Sequence, residues 1–317
     1  NISGDLVASG CNAGNGVLNP NNPFAASGNV AQLLGVPDRG IQTLTNSKVY
    51  RAALGAHGTF GEGWEYNLGV TASKVNLDVT NRNYIYLQGL MNAIAQGTYN
   101  FVNPAANSQA AIDQVFPEQH KTSTSKLFQI QGSLAKDVFE LPGGMLNVAV
   151  GGQFRHEALN NPSSNPADDA NPYARYYTIN AVAVQGKRDI WSASYQIAAP
   201  ILDSVRVKAS GSYEHYSTGQ KAFSPKFEAE FTPIKELKLR GTWSRGFRAP
   251  NFNESFQLPG TGYTAATIVC SQPTYAAFCA AHASNPTYYT GGYSPGLTSS
   301  GNPDLKPEKS TAYTLGA

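Results

Sequence analysis

Charge is scarce in this chain. Only 14% of its residues are Asp, Glu, Lys or Arg, well under the roughly 25% of a typical soluble domain. The net charge is +2, and no dense Lys/Arg run occurs, which argues against a nucleic-acid partner. No stretch reaches the ~18 apolar residues of a membrane helix. That excludes helical spans and nothing else, because a membrane barrel shows lipid only alternate residues. There are three Cys and five His (His57, His120, His156, His215, His282). None of the His has ligand spacing to another His or to Cys, so no metal site or cofactor is expected. Phosphate loops, nucleophile elbows and zinc-protease motifs are also missing, and the chain does not read as an enzyme.

What is present is alternation. In 146–154, Leu146, Val148, Val150, Gly152 and Phe154 share one face, opposed by Asn147, Gln153 and Arg155. The same period of two runs through 205–216, 223–231 and 237–244, where Leu237, Leu239, Gly241 and Trp243 oppose Lys238, Arg240 and Thr242. Four further runs, 47–60, 64–79, 123–135 and 188–199, and a ninth starting near Lys309 give eight to nine strands. Connections at 61–63, 136–144, 200–204 and 232–236 are short; those at 80–122, 158–187 and 248–308 are long, with 217–221 the short exception and 1–45 on the same side. Short helices are expected near 87–97 and at 108–116, the second capped by Ser108. Aromatic residues such as Trp64, Tyr66, Trp191 and Trp243 near strand ends suit interfacial girdles. Short turns at one end and long loops at the other suit an antiparallel transmembrane β-barrel. A half-buried soluble sheet remains the alternative.

Two boxes carry a resemblance. The stretch "LRGTWSRGFRAPNFNESF" followed by "GNPDLKPEKSTAYTLGA" resembles the barrel of TonB-dependent outer-membrane receptors, and the likeness extends over most of 46–317. The boxes are Phe247, Arg248, Ala249 and Pro250, then Gly301, Asn302, Pro303, Asp304, Leu305, Lys306, Pro307 and Glu308. The resemblance implies a central slice, residues 1–317, of a barrel of about twenty-two strands, without its plug domain, coupling box and C-terminal strands. The start and the closing "STAYTLGA" read as cut ends. It also implies nutrient uptake across the outer membrane of a Gram-negative bacterium, energised by the TonB–ExbB–ExbD complex. The nutrient would be siderophore-iron, haem, a vitamin, an oligosaccharide or a peptide. Outer-membrane lipid and lipopolysaccharide would be its surroundings. A passive porin and a small closed barrel or binding module remain alternatives.

Within the boxes, Arg245, Arg248, Asn251 and Glu254 are candidate mouth or lumen contacts for a plug or ligand. The arginines are equally suited to pairing with neighbouring carboxylates. Residues 247–250 together with Asn302, Pro303, Leu305, Pro307 and Glu308 read as structural, fixing the strand exit and the next entry. Cys270 and Cys279 in an outward loop either close a disulfide or stay free, and Cys11 has no mate here. Asp168 and Asp169 read as a solvated turn. The loop tyrosines (Tyr84, Tyr86, Tyr173, Tyr176, Tyr177, Tyr288, Tyr289, Tyr293) suit either ligand capture or loop packing and lipopolysaccharide contact.

Overall fold

The structure is a computed structural model. It describes residues 21–23, 39–165, 171, 173–179, 182–263, 267–285, 289 and 296–317. Cys11, Asp168, Asp169, Tyr288 and Tyr293 lie outside these residues. Nine strands make one antiparallel sheet: β1 (Gln42–Phe60), β2 (Trp64–Arg82), β3 (Gln119–Leu141), β4 (Gly144–Asn161), β5 (Val184–Leu202), β6 (Val205–Tyr216), β7 (Lys221–Ile234), β8 (Leu237–Arg248) and β11 (Glu308–Gly316). Each strand pairs with the next in that order. β9 (Gly260–Tyr263) and β10 (Gly296–Ser299) form a separate ribbon inside the last loop. β1 and β11 are the edges of the large sheet, and no ladder joins them among the described residues.

Register gathers like residues onto like faces. One row runs Val70–Ile130–Phe154–Trp191–His215–Lys221 across six strands. On the opposite face a row runs Asn67–Ser133–Gly151–Ser194–Ser212–Ser224. The apolar face is uncovered: Leu54 is 80% exposed and Leu315 93%. The total accessible area is 20006 Å², against roughly 12,800 Å² for a compact protein of this mass. A sheet whose apolar side carries no second layer among the described residues suits lipid on that side.

The apolar face turns charged toward the long-loop end, at Lys74 on β2, Lys126 on β3, Lys221 on β7 and Arg245 on β8. The boundary is slanted. The row Tyr66–Leu134–Val150–Tyr195–Gly211–Pro225 lies eight residues from Lys74 on β2 but four from Lys221 on β7. A membrane plane cuts a tilted barrel's ladder at such a slant.

The strands outrun their sequence estimates. β3 continues to Leu141, leaving only 142–143 as the turn where 136–144 was expected. The alternation was lost there because the β3–β4 register shifts between Asp137 and Phe139, and a bulge flips the faces. A second shift between Pro200 and Leu202 hides the end of β5 in the same way. The other turns at this end are 61–63, 203–204 and 235–236. The opposite end carries 83–118, 162–183, 217–220 and 249–307. Between β7 and β8 the ladder stops at Lys226/Ser244, although β7 follows β6 to Lys221 and β8 follows β11 to Arg248. Pro225, which has no N–H, stands at that break.

The two expected helices are α1 (Leu87–Gln96) and α2 (Gln109–Val115), and the Ser108 hydroxyl accepts from the Ala111 N–H at 3.2 Å. Their apolar sides close a small core of Leu90, Ala93, Tyr99, Ala111, Val115 and Phe116. Two helices were not anticipated, α3 (Phe252–Phe256) and α4 (Pro273–Ala281).

Candidate ligand-facing rim

The long-loop end is held together by two side-chain hubs. The first is Arg248, the last residue of β8. Its guanidinium donates to both Glu254 oxygens at 2.9 Å, and to Glu308 at 3.0 and 2.7 Å. Glu308 opens β11 directly opposite, so one arginine ties the exit of one strand to the entry of the next. Asn251 caps α3: its Oδ1 accepts from the Glu254 N–H, and Glu254 accepts from the Asn251 N–H at 2.8 Å. The Arg248 hydrogen bonds, aided by the Asn251 N–H, hold the Glu254 carboxyl below its ordinary value.

The second hub is Arg188 on β5. Its Nε donates to Glu157 at 2.7 Å and its Nη1 to the Pro250 carbonyl at 2.8 Å. The guanidinium lies over the rings of Tyr216 (5.5 Å) and Phe252 (5.0 Å). Beside it α3 presses on the sheet. A Cβ at Gly186 would stand 2.7 Å from Phe256 and 2.9 Å from Phe252, so only glycine admits those rings. Gly301 is constrained likewise: a Cβ would meet the backbone of 255–257 at 2.6–2.7 Å. Its N–H donates to the Gln257 carbonyl, and the Asn302 N–H donates to the Glu254 carbonyl. Asn302 Oδ1 accepts from the Asp304 N–H, turning the chain toward β11.

The other long loops dock on one another. Tyr86 and Tyr176 form a backbone bridge, with rings 5.2 Å apart. The N–H groups of Leu87 and Gln88 donate to the carbonyls of Arg175 and Tyr173, and Tyr177 donates back to Ile85. Tyr173 and Tyr177 remain exposed. Where 83–118 rejoins β3, Glu118 pairs with Arg82 and with His120. The Arg82 hydrogen bond lowers the pKa of Glu118. In the last loop Cys270 and Cys279 form a disulfide, Cα–Cα 5.8 Å, across the start of α4.

The model of the family described as "TonB dependent receptor-like, beta-barrel" matches residues 7–317. The chain belongs to that family. Two solved structures share its fold. One is the siderophore receptor PirA from Acinetobacter baumannii, with 15% identity, TM-score 0.57 and coverage of 86% of this chain and 32% of that one. The other is the ferric enterobactin receptor PfeA from Pseudomonas aeruginosa, with 12% identity, TM-score 0.53 and the same coverages, 86% and 32%. The chain thus spans about a third of their length. No protein of curated function matches it. TonB-dependent receptor barrels are Gram-negative outer-membrane proteins, and their long loops face the outside.

In this receptor barrel the candidate residues separate. Arg248, Asn251 and Glu254 come together with Glu308, but their polar groups bind one another. Pro250 is drawn in by Arg188, and Leu305 offers its carbonyl to Gln220 at 3.4 Å. Phe247 meets Tyr216 edge-on, rings 6.4 Å apart. Ala249 is half-buried and Pro307 likewise, while Pro303 is exposed. Arg245 does not join them. Its guanidinium lies over Trp243 at 5.5 Å, and Trp243 stacks on Phe227 on the apolar face. Alternation from Trp243 gives this placement directly; the mouth expectation for Arg245 followed its position in the box instead. Arg188 and Gly186 were missed, because their partners Pro250, Phe252 and Phe256 are distant in sequence.

Proposed function

We propose that the complete protein is an outer-membrane receptor that captures a scarce nutrient at its outer rim and imports it with energy from the TonB–ExbB–ExbD complex. Residues 1–317 supply part of its barrel wall, and a plug domain and further strands belong to the rest. The supporting observation is the rim itself. Its 83–118 and 162–183 loops bind each other through backbone hydrogen bonds, and 249–307 is tied to β5, β8 and β11. Loops docked on one another in this way give an extensive outer surface on which a ligand can be captured. The exposed Tyr173 and Tyr177 supply rigid contact area there. Arg248 and Glu254 act as a staple for that surface, not as ligand contacts.

Ferric siderophores are the first class to test, because PirA is a siderophore receptor and PfeA a ferric enterobactin receptor. Haem, vitamin, oligosaccharide and peptide follow. The test is growth of a strain lacking the full gene on each nutrient as sole source, with and without a functional energy-transducing complex. Energy-dependent rescue by one class supports the reading. Equal growth without the gene, or rescue independent of the complex, overturns it.

A further inference from the structure

The loops of the outer rim carry little charge, and most of it is negative. Between Glu254 and Asp304 the sequence has no Asp, Glu, Lys or Arg. Across 83–118, 162–183, 217–220 and 249–307 the only Lys and Arg are Arg175 and Lys306, against Asp113, Glu118, Asp168, Asp169, Glu254 and Asp304. The arginines at the strand ends are already engaged: Arg82 with Glu118, Arg188 with Glu157, Arg248 with Glu254 and Glu308. Arg39, ahead of β1, lies over the Phe116 ring at 5.7 Å. Lys121 donates to Asn161 at 3.3 Å. Lys187, Lys221 and Lys309 share the outward face of Trp191, Phe223 and Tyr313. An anion approaching these loops meets an excess of carboxylates, and like charge suppresses its capture.

What the rim offers instead is neutral. Asn171, Tyr173 and Tyr177 are exposed where 162–183 docks beside α1. A relay of amides runs past them. Gln88 Nε2 donates to Asn92 Oδ1 at 2.9 Å, Asn171 Nδ2 donates to Gln88 Oε1 at 2.8 Å, and the Tyr173 N–H donates to Asn171 Oδ1 at 3.0 Å. The relay ends on the exposed Asn92 amide, whose NH2 has no partner among the described residues. Tyr, Thr, Ser, Asn, Gln and Gly also make up most of 255–303. Aromatic rings beside neutral amides and hydroxyls match a ligand with apolar ring faces, hydroxyl edges and no charge. A saccharide has those features. Haem has its carboxylates, a ferric catecholate its net negative charge and a peptide its charged termini.

We propose that this sector of the rim takes an uncharged saccharide, its ring faces laid on Tyr173 and Tyr177 and its hydroxyls bonded to Asn92, Gln88 and Asn171. The proposal rests on the reading of the complete protein as a capture receptor and names the ligand of that surface. PirA and PfeA, at 15% and 12% identity, share the fold, and a shared fold leaves the choice of ligand to the loops.

The test uses the full-length receptor in nanodiscs. Its probes are neutral oligosaccharides of glucose, mannose, xylose and galactose, uronate oligosaccharides of matching length, and ferric enterobactin as the anionic chelate. Binding is read by isothermal titration calorimetry. A neutral oligosaccharide should bind about tenfold or more tightly than its uronate counterpart. Raising the salt from about 0.05 to about 0.5 M should leave the neutral affinity unchanged, since no ion pair is there to be screened. Tyr173→Ala/Tyr177→Ala should weaken it about tenfold or more. Tyr173→Phe/Tyr177→Phe keeps the rings and should lose about threefold at most, which guards against a folding defect in the Ala pair. Preference for the uronate or the ferric chelate overturns the proposal. So does the absence of binding by every neutral oligosaccharide, or equal binding by wild type and the Ala pair. Energy-dependent growth on an iron chelate would then leave the receptor reading intact and remove the saccharide alone. Failure of every nutrient to support energy-dependent growth would remove the receptor reading itself.

Discussion

In the sheet, Leu54 and Ile130 point away from every other layer and nothing among the described residues covers them. In the 83–118 loop, Leu90, Tyr99 and Val115 turn toward one another and are almost wholly buried. The sheet takes its apolar contact from lipid and its cohesion from the ladder. The loop sits in water and builds a core of its own, closed by two short helices. A residue's chemical type therefore says little here until it is known which of the two solvents it meets.

That contrast gives the largest predicted effect. Leu90→Ala should cost the loop about 2–5 kcal/mol, since it leaves a cavity in a core of six residues. Hydrogen exchange should rise across α1 and α2, while amides of β2 and β3 keep their protection. Loss of protection in the strands as well would show that the loop is not an independent unit. Next, Ile130→Arg in the full-length receptor should destabilise the barrel by about 2–4 kcal/mol, the cost of an arginine on the lipid side. The adjacent Gln129→Arg, on the polar face, should stay within about 0.5 kcal/mol of wild type. Refolding equilibria in lipid would measure both, and equal effects would contradict the face assignment. Removing the Ser108 cap is smaller. Ser108→Ala should cost the α2 turn about 1 kcal/mol, seen as faster exchange at Ala111 alone.

The smallest effect is that of one exposed carboxylate. Arg248 holds Glu254 below its ordinary 4.5, so the folded rim binds that proton more weakly than the unfolded chain does. Its contribution is complete above pH 4.5 and is lost as the pH falls through the lowered value. Hydrogen exchange at α3 should therefore quicken below that pH in the wild type. In Glu254→Gln it should be fast already at neutral pH. A wild type indifferent to acid would count against the Arg248 staple.

Most of the wall was legible from the sequence. A period of two repeated through nine segments, with turn lengths alternating between short and long, has few interpretations, and Ser108 before an apolar run marked its helix plainly. What escaped has physical causes. At Asp137/Phe139 the bulge interrupts the period that carries the signal, so a strand reads as a turn. α4 begins with Pro273 at a position that suits proline, but its residues are apolar on all sides and show no face. The rim hubs were hidden for another reason. Arg188 reads as one charge in an alternating strand, and nothing local tells that Pro250 and Phe252 will arrive above it. Gly186 reads as a weak strand position until Phe256 lands on it. The sequence boxes marked the right neighbourhood, but a box says which residues recur together and not which way each one faces, as Arg245 illustrates.

The interrupted β7–β8 ladder bears on mechanics. Between β7 and β8 the ladder carries force only below Lys226 and Ser244. Above that level β8, β11 and the loop they carry are fastened to the wall by a few other bonds, chiefly Arg188 to the Pro250 carbonyl and the Leu258 N–H to the Ala183 carbonyl. A load applied to 249–307, such as a ligand pulling inward, would reach β5 directly through those bonds, skipping the β7–β8 ladder. The rim has a seam, and it begins beside one residue that cannot donate a hydrogen bond.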